Sequence, residues 1–285
     1  MADKILVVGA TSKVGTELVK ALVAKGETVK AATRRPGDYT AAPGVEVTAF
    51  DYDVHASMKP ALQDVDRVFM LSKWTDPHPE LGLKQFVEAA HVANVKHIVF
   101  MSGMGVDQQP AVGMTLVEKR IANSGMGYTL LHPNWFMQNF SRGFYLPRIR
   151  DIGSIVVPAA SGAASFVDTR DVAAVAASAL TEPGHSGQTY HLTGGQALTF
   201  TQVADILADV TERRIIYQPA TDEDFSAILS QSGQWEADQI DYLTGLFGYV
   251  RSGQAAPVMP TLASVLGREP TTFEQFARDH ADMWR

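Results

Sequence analysis

An apolar run, Ile5 to Val8, is followed by the turn Gly9-Ala10-Thr11-Ser12-Lys13-Val14-Gly15 and then by Leu18, Val19, Leu22 and Val23 at helical spacing. Strand, glycine-bearing turn and helix in that order suit a pyrophosphate, because the N–H groups that open a helix point at an anion and the helix dipole favours its charge. Gly9 lets the chain leave the strand without a Cβ clash, and Gly15 lets the helix pack close to the sheet. Thr11, Ser12, Lys13 and Val14 supply the backbone between them. Ser12 stands where a central glycine is usual in Gly-x-x-Gly-x-x-Gly; its short hydroxyl side chain can donate to phosphate, so the change is expected to be tolerated.

The next strand candidate, Val29-Lys30-Ala31-Ala32-Thr33, leads into Arg34 and Arg35 before Pro36-Gly37 turns the chain. A site for NAD places a carboxylate near this point to accept from the ribose 2′-hydroxyl, whereas NADP needs a cation for its 2′-phosphate. Thr33 replaces the acid. Paired guanidiniums hold phosphate through forked donors, and one can stack on adenine. NADP(H) is therefore the expected cofactor, ahead of NAD(H).

These residues need a scaffold, and a chain of 285 residues with 46% hydrophobic content is long enough for one dinucleotide-binding domain with a smaller lobe. The absence of cysteine excludes disulfides, thiolate metal sites and a cysteine nucleophile. A formal charge of -7 disfavours nucleic acid as an electrostatic partner. There is no 18-residue apolar run, and Met1-Ala2-Asp3-Lys4 passes directly into the first strand, so no membrane span or signal peptide is expected and a cytoplasmic protein fits best. His55, His78, His97, His132 and His191 show no metal-binding spacing, and no metal site is expected.

Further strand candidates are Val45 to Phe50, Arg67 to Leu71, His97 to Ser102 and Tyr128 to Leu131, separated by helical stretches such as Leu81 to Ala93 and Leu116 to Asn123. Alternation of this kind implies an α/β fold, a Rossmann-type doubly wound parallel sheet, whose ligands bind beyond the carboxyl ends of the strands. Those ends are Gly9, Thr33, Asp51, Leu71-Ser72, Ser102 and His132-Pro133; Asn134 and Phe136, just beyond, extend the expected cofactor contacts. Asp51 is placed to accept from the adenine amino group, or to serve a cap or turn.

After Pro133 the pattern changes. Trp135, Phe136, Phe140, Phe144 and Tyr145 crowd together, and with Trp74 and Trp235 they give the candidates for a substrate pocket: Trp74, Trp135, Phe136, Phe140, Tyr145 and Trp235. Phe166-Val167-Asp168 is expected to return to the main sheet ahead of a helix over Val172 to Leu180, capped by Asp168 or Thr169. The expected domains are a dinucleotide-binding domain over residues 1–155, completed by about 166–193, and a small C-terminal substrate lobe over 194–285 with about 134–165.

With these residues in place, the chain resembles the NmrA-like, atypical short-chain dehydrogenase/reductase family. The resemblance rests on the glycine turn, on Val99-Phe100-Met101-Ser102, on Glu118 through Ser124-Gly125 and on Tyr128 through Phe140. Asn134-Trp135-Phe136-Met137, Leu198 through Ala204 and Thr272 through Ala277 look like the ergot-alkaloid dehydrogenase type. The family also includes quinone and triphenylmethane dye reductases, and regulators that bind NADP without turnover. His132 departs from the arginine usual before that proline.

The resemblance also exposes a gap. Ordinary members of the larger superfamily use a Tyr-x-x-x-Lys pair in which tyrosine gives a proton to the reduced carbonyl, and extended members commonly carry a glutamate four residues after the lysine. With Glu118 as that glutamate, the lysine position is Met114 and the tyrosine position is Pro110, so the dyad is absent. Lys119 lies about 100° around the helix from Glu118 and reads as a solvated lysine. Ser102 and Lys119 are the remaining catalytic candidates. The expected activity is NADPH-dependent hydride transfer to an electron-poor aromatic or heterocyclic molecule, an iminium, quinone or cationic conjugated acceptor, by a monomer or homodimer. A non-catalytic NADP-binding sensor is the alternative, and an epimerase or isomerase with retained cofactor is a third reading.

Overall fold

The computed structural model describes residues 3–73, 76, 78–108 and 113–285. Chain order begins β1 (Lys4–Val8), α1 (Lys13–Ala24), β2 (Thr28–Thr33), β3 (Glu46–Ala49), α2 (Met58–Leu62), β4 (Arg67–Leu71), α3 (Pro79–Val92), β5 (His97–Met101), α4 (Gly113–Ala122) and β6 (Gly127–Pro133). It continues α5 (Asn139–Arg142), α6 (Leu146–Ile152), β7 (Ser154–Val157), β8 (Ala163–Ala164), α7 (Thr169–Thr181), β9 (Gln188–Leu192), β10 (Leu198–Thr199) and α8 (Phe200–Thr211). The last elements are β11 (Ile216–Pro219), α9 (Asp222–Gln231), α10 (Ala237–Arg251), α11 (Thr261–Leu266) and α12 (Phe273–Asp279). Two compact units form, one of Met1–Pro133 with Thr169–His191, the other of Asn134–Asp168 with Leu192–Arg285.

The first unit is a seven-stranded parallel sheet in the order β3-β2-β1-β4-β5-β6-β9. The central strands are continuous apolar runs because both their faces are covered: Ile5, Leu6, Val7, Val68, Phe69, Met70, Ile98, Val99 and Phe100 are buried. Leu83, Phe86 and Val87 of α3 and Val117 and Ile121 of α4 pack on one face. α1 and α7 pack together against the other. The strand order reverses at β1, with β2 on one side and β4 on the other, so the ligand crevice of such a sheet lies beyond Val8 and Leu71.

The second unit is organised around rings. Phe140, Phe166, Phe200, Phe225, Phe247, Phe273, Phe276 and Trp284 are fully buried together, and the Trp284 indole N–H donates to the Phe140 carbonyl at 2.8 Å. Two small strand pairs flank this core, β7 with β11 in parallel and β8 with β10 antiparallel. The α8 helix opens on a capping box, in which Thr199 accepts from the Gln202 N–H while Gln202 accepts from the Thr199 N–H. Phe166-Val167-Asp168 does not join the main sheet. Val167 makes an isolated bridge with Phe136, its N–H donating to Trp135 O at 2.8 Å and its carbonyl accepting from Met137 N at 3.0 Å, so hydrophobicity alone misplaced this segment. Among the described residues no helix is long and apolar enough to cross a membrane.

Candidate functional site

The turn after β1 is fixed by two glycines for different reasons. Gly9 has a φ of +71°, the left-handed region, and a Cβ there would stand 3.3 Å from the Leu71 side chain at the end of β4. A Cβ on Gly15 would stand 2.1 Å from the Gly9 carbonyl oxygen. Gly15 is therefore demanded by the turn folding back on itself, a closer constraint than the helix-to-sheet approach expected of it. Ser12 N–H donates to Gly9 O at 2.8 Å, and Ser12 Oγ caps α1 by accepting from Gly15 N at 2.9 Å. That bond leaves the Ser12 hydroxyl proton unused. Val14 is buried, whereas Thr11 is exposed and Ser12 and Lys13 are half-buried at the helix mouth. A tight turn that a Cβ at Gly9 or Gly15 would crowd, opening on a helix N-terminus, fits the pyrophosphate of a dinucleotide.

Beyond β2, Thr33 is buried and its hydroxyl accepts from Arg35 N at 3.4 Å. Arg34 and Arg35 are exposed, and Arg35 pairs with Asp38 at 3.4 Å across a short 3-10 turn. Beyond β3, Asp51 accepts from Asp53 N at 3.2 Å and pairs with Lys73 at 3.3 Å. Lys73, which sequence reasoning passed over, also reaches Asp53 at 2.5 Å. Burial works against its charge, but hydrogen bonds to Asp53 and Asp51 outweigh that and hold its pKa above the ordinary lysine value. Part of the Asp51 carboxylate is thus already committed. Leu71 closes β4 and accepts from the Tyr52 hydroxyl at 3.1 Å, while Ser72 donates to Lys73 O at 2.8 Å.

At the ends of β5 and β6 the side chains face one another. Ser102 Oγ donates to Glu118 Oε1 at 2.5 Å, and His132 Nε2 lies 2.8 Å from the same oxygen. Both Glu118 and His132 are buried. Since the carboxylate oxygen accepts, Nε2 carries the ring proton. The Glu118–His132 pair escaped sequence reasoning, although the arginine-to-histidine change at the end of β6 was the signal for it. Lys119, one residue on, is exposed, and Met114, one turn before Glu118, is half-buried. Pro110 and Trp74 lie outside the described residues.

The aromatic candidates separate. Phe140 and Tyr145 stack at 4.8 Å in the core of the second unit, at 0% and 3% exposure, so they are removed from the pocket lining: rings this buried support the fold. Trp135, Phe136 and Trp235 are half-buried, with Trp135 packed 4.9 Å from Phe247. Asn134 spends its amide within the same unit, donating to Ser165 Oγ at 2.7 Å and Ala255 O at 2.8 Å and accepting from Trp135 N at 2.9 Å. Pro133 ends β6 and is buried.

The family model described as the NmrA-like family matches residues 1–277. The chain belongs to the NmrA-like family. It is 34% identical over 283 residues to the NAD(P)H azoreductase of Xenophilus azovorans, covering 97% of this chain and 98% of that protein. It is 32% identical over 204 residues to the agroclavine dehydrogenase of Claviceps fusiformis, 70% of each chain. The crystal structure of the NADPH-dependent quinone oxidoreductase of Escherichia coli in complex with NADPH is similar with a TM-score of 0.84 at 28% identity, over 96% of this chain and 99% of that one.

Proposed function

We propose that this NmrA-like protein is an NADPH-dependent reductase whose acceptors are electron-poor small aromatic or heterocyclic molecules: iminium ions, quinones or cationic conjugated dyes. The chain is an oxidoreductase with NADP(H) as its cofactor, in keeping with relatives that match nearly its whole length. The observation that carries the reading is the Gly9–Gly15 cradle at the reversal point of the sheet, with exposed Arg34 and Arg35 at the end of the adjoining strand.

The turn after β1 binds pyrophosphate through the opening of α1, and the two guanidiniums take the 2′-phosphate, with no carboxylate at Thr33 to repel it. When bound, the nicotinamide supplies a hydride. The choice of acceptor follows from what the chain does not offer. Ser102 gives its proton to Glu118, Lys119 faces water, and Met114 and Pro110 stand where lysine and tyrosine are usual. An acceptor whose reduced form needs no immediate proton suits such a site, and rate then comes from positioning and exclusion of water. A cytoplasmic monomer or homodimer, with the first unit holding the cofactor and the second the acceptor, completes the proposal.

The test is NADPH oxidation with quinones, cationic triphenylmethane dyes, azo dyes and cyclic imines, beside unactivated ketones. Turnover confined to the first group is expected. Comparable rates with simple ketones would overturn the positioning reading, and saturable NADPH binding without any turnover would assign the chain to the sensors.

A further inference from the structure

His132, on β6, and His191, on β9, are distant in sequence, yet the fold brings their rings to a centroid separation of 5.0 Å with an interplanar angle of 82°. Asp107, in the turn after β5, faces both. His132 Nδ1 lies 3.9 Å from Asp107 Oδ1, and His191 Nε2 lies 3.7 Å from Asp107 Oδ2. These gaps are too long for hydrogen bonds. His132 is fully buried, and its Nδ1 has no hydrogen-bond partner among the described residues. A buried ring nitrogen of this kind costs about 1–3 kcal/mol when left unsatisfied, so something is expected to meet it.

The tautomer narrows what that is. His132 Nε2 is 2.8 Å from Glu118 Oε1 and donates to it, so any lone pair offered to a ligand falls to Nδ1, the atom directed at Asp107. A histidine that donates one N–H to a carboxylate while its other nitrogen is bare has the outer-shell arrangement of a metal ligand. Ser102 fixes that carboxylate in turn, through its own hydrogen bond to Glu118 at 2.5 Å.

We propose that Asp107, His132 and His191 bind a divalent transition-metal ion, with Zn²⁺ the preferred occupant. One ligand atom from each residue falls within 4.8 Å of the other two. Tetrahedral Zn²⁺ with bonds of 2.0–2.2 Å sets its ligands about 3.4 Å apart, so the three close inward modestly on binding. Asp107, with 42% of its side chain exposed, supplies most of that movement and the entry path. Two imidazoles and one carboxylate favour Zn²⁺ over Mg²⁺ or Ca²⁺, which prefer all-oxygen shells. Asp107 and the outer Glu118 balance the charge of the ion, and the fourth position is left to water. No short spacing in the sequence announces these ligands, because the three meet only through the order of β5, β6 and β9.

The experiment is calorimetric titration of the untagged, chelator-treated full chain with Zn²⁺, with Co²⁺ as a spectroscopic probe and Mg²⁺ as control. One Zn²⁺ per chain is expected at micromolar affinity or tighter, together with the visible absorption of four-coordinate Co²⁺. Asp107→Asn and His191→Gln, both at partly exposed side chains, are each expected to weaken Zn²⁺ at least tenfold while melting as the parent does. Glu118→Gln is expected to weaken it by about tenfold through the outer shell. Absence of saturable binding up to millimolar Zn²⁺, or stoichiometric binding unchanged in both Asp107→Asn and His191→Gln, would overturn the site.

Discussion

The carboxyl edge of the sheet in the first unit treats its polar groups in two ways. Beyond β1 and β2 they are turned outward: Arg34 and Arg35 are exposed, and Ser12 caps α1 at the mouth of the turn. Beyond β5 and β6 they are turned on one another, with the Ser102 hydroxyl proton and the His132 Nε2–H both spent on the buried Glu118. A group that will meet a charged ligand can wait in water at little cost, whereas a buried donor gives its proton to an acceptor within the fold. The first arrangement is prepared for a phosphate; the second has no proton to spare, since taking one from Ser102 costs a hydrogen bond to a charged acceptor, about 1.5–3 kcal/mol.

The sharpest way to break that contrast is Gly15→Ala. Its Cβ would sit 2.1 Å from the Gly9 carbonyl oxygen, which already accepts from Ser12 N, so the turn is expected to reopen and its fit to pyrophosphate to be lost. NADPH affinity is expected to fall about a thousandfold, near 4 kcal/mol, as read by calorimetric titration. A loss under tenfold would separate the glycine turn from cofactor binding. Replacing Arg34 and Arg35 together with alanine is expected to cost NADPH roughly 2–4 kcal/mol and NADH almost nothing. Because Arg35 already pairs with Asp38, most of that loss should appear in Arg34→Ala alone. Equal parent affinities for NADPH and NADH would remove the basis for the preference.

The two regions were also unequally legible. The turn, the strands leading into it and the arginine pair are local: Gly9, Ser12 and Gly15 act within seven residues, and the apolar runs place β1, β2 and β4 to within a residue of their observed limits. The Ser102–Glu118–His132 group is assembled from β5, α4 and β6, and no local spacing announces it. Phe140 and Tyr145 misled for the same reason. An aromatic run reads alike whether it lines a pocket or fills a core, and only Phe166, Phe200 and Phe273 around Phe140 show that it fills one. Segments whose partners lie far along the chain, such as Phe166 to Asp168, carry their apolar character openly and their pairing not at all.

At the amino-terminal end of β5, on the opposite edge of the sheet, His97 offers a control that involves neither cofactor nor acceptor. Its Nε2 lies 3.0 Å from Thr129 Oγ1, whose own proton goes to His185 O at 2.8 Å, so His97 is the donor. Burial first, then repulsion from Arg67 and His185, lowers its pKa from 6.5 to about 4. The folded state therefore resists a proton that the unfolded chain accepts, and its stability contribution is complete above pH 6.5 and lost as pH falls toward 4. After allowance for the ring's partial exposure, about 1–2 kcal/mol is at stake. The difference between thermal melts of the parent and His97→Gln, followed from pH 7 to 4, should carry this window; parallel curves would show that His97 titrates as it does in the unfolded chain.

The smallest effect is expected where a side-chain acid would have shown the largest. Lys119 is exposed while its neighbour Glu118 is buried against Ser102 and His132, and on one helix the two cannot face the same group. Lys119→Ala is therefore expected to lower kcat with a quinone or iminium acceptor by less than tenfold, under about 1.4 kcal/mol of barrier. The pH profile of kcat should show no ionisation that this variant removes. Because the variant adds no buried group and breaks no hydrogen bond to Glu118, its melting temperature should match the parent's. A thousandfold loss with an unchanged melt would mean that Lys119 turns inward when acceptor binds. The closed network beyond β5 would then be only the resting half of an acid site, and the contrast between the two ends of the sheet edge would disappear.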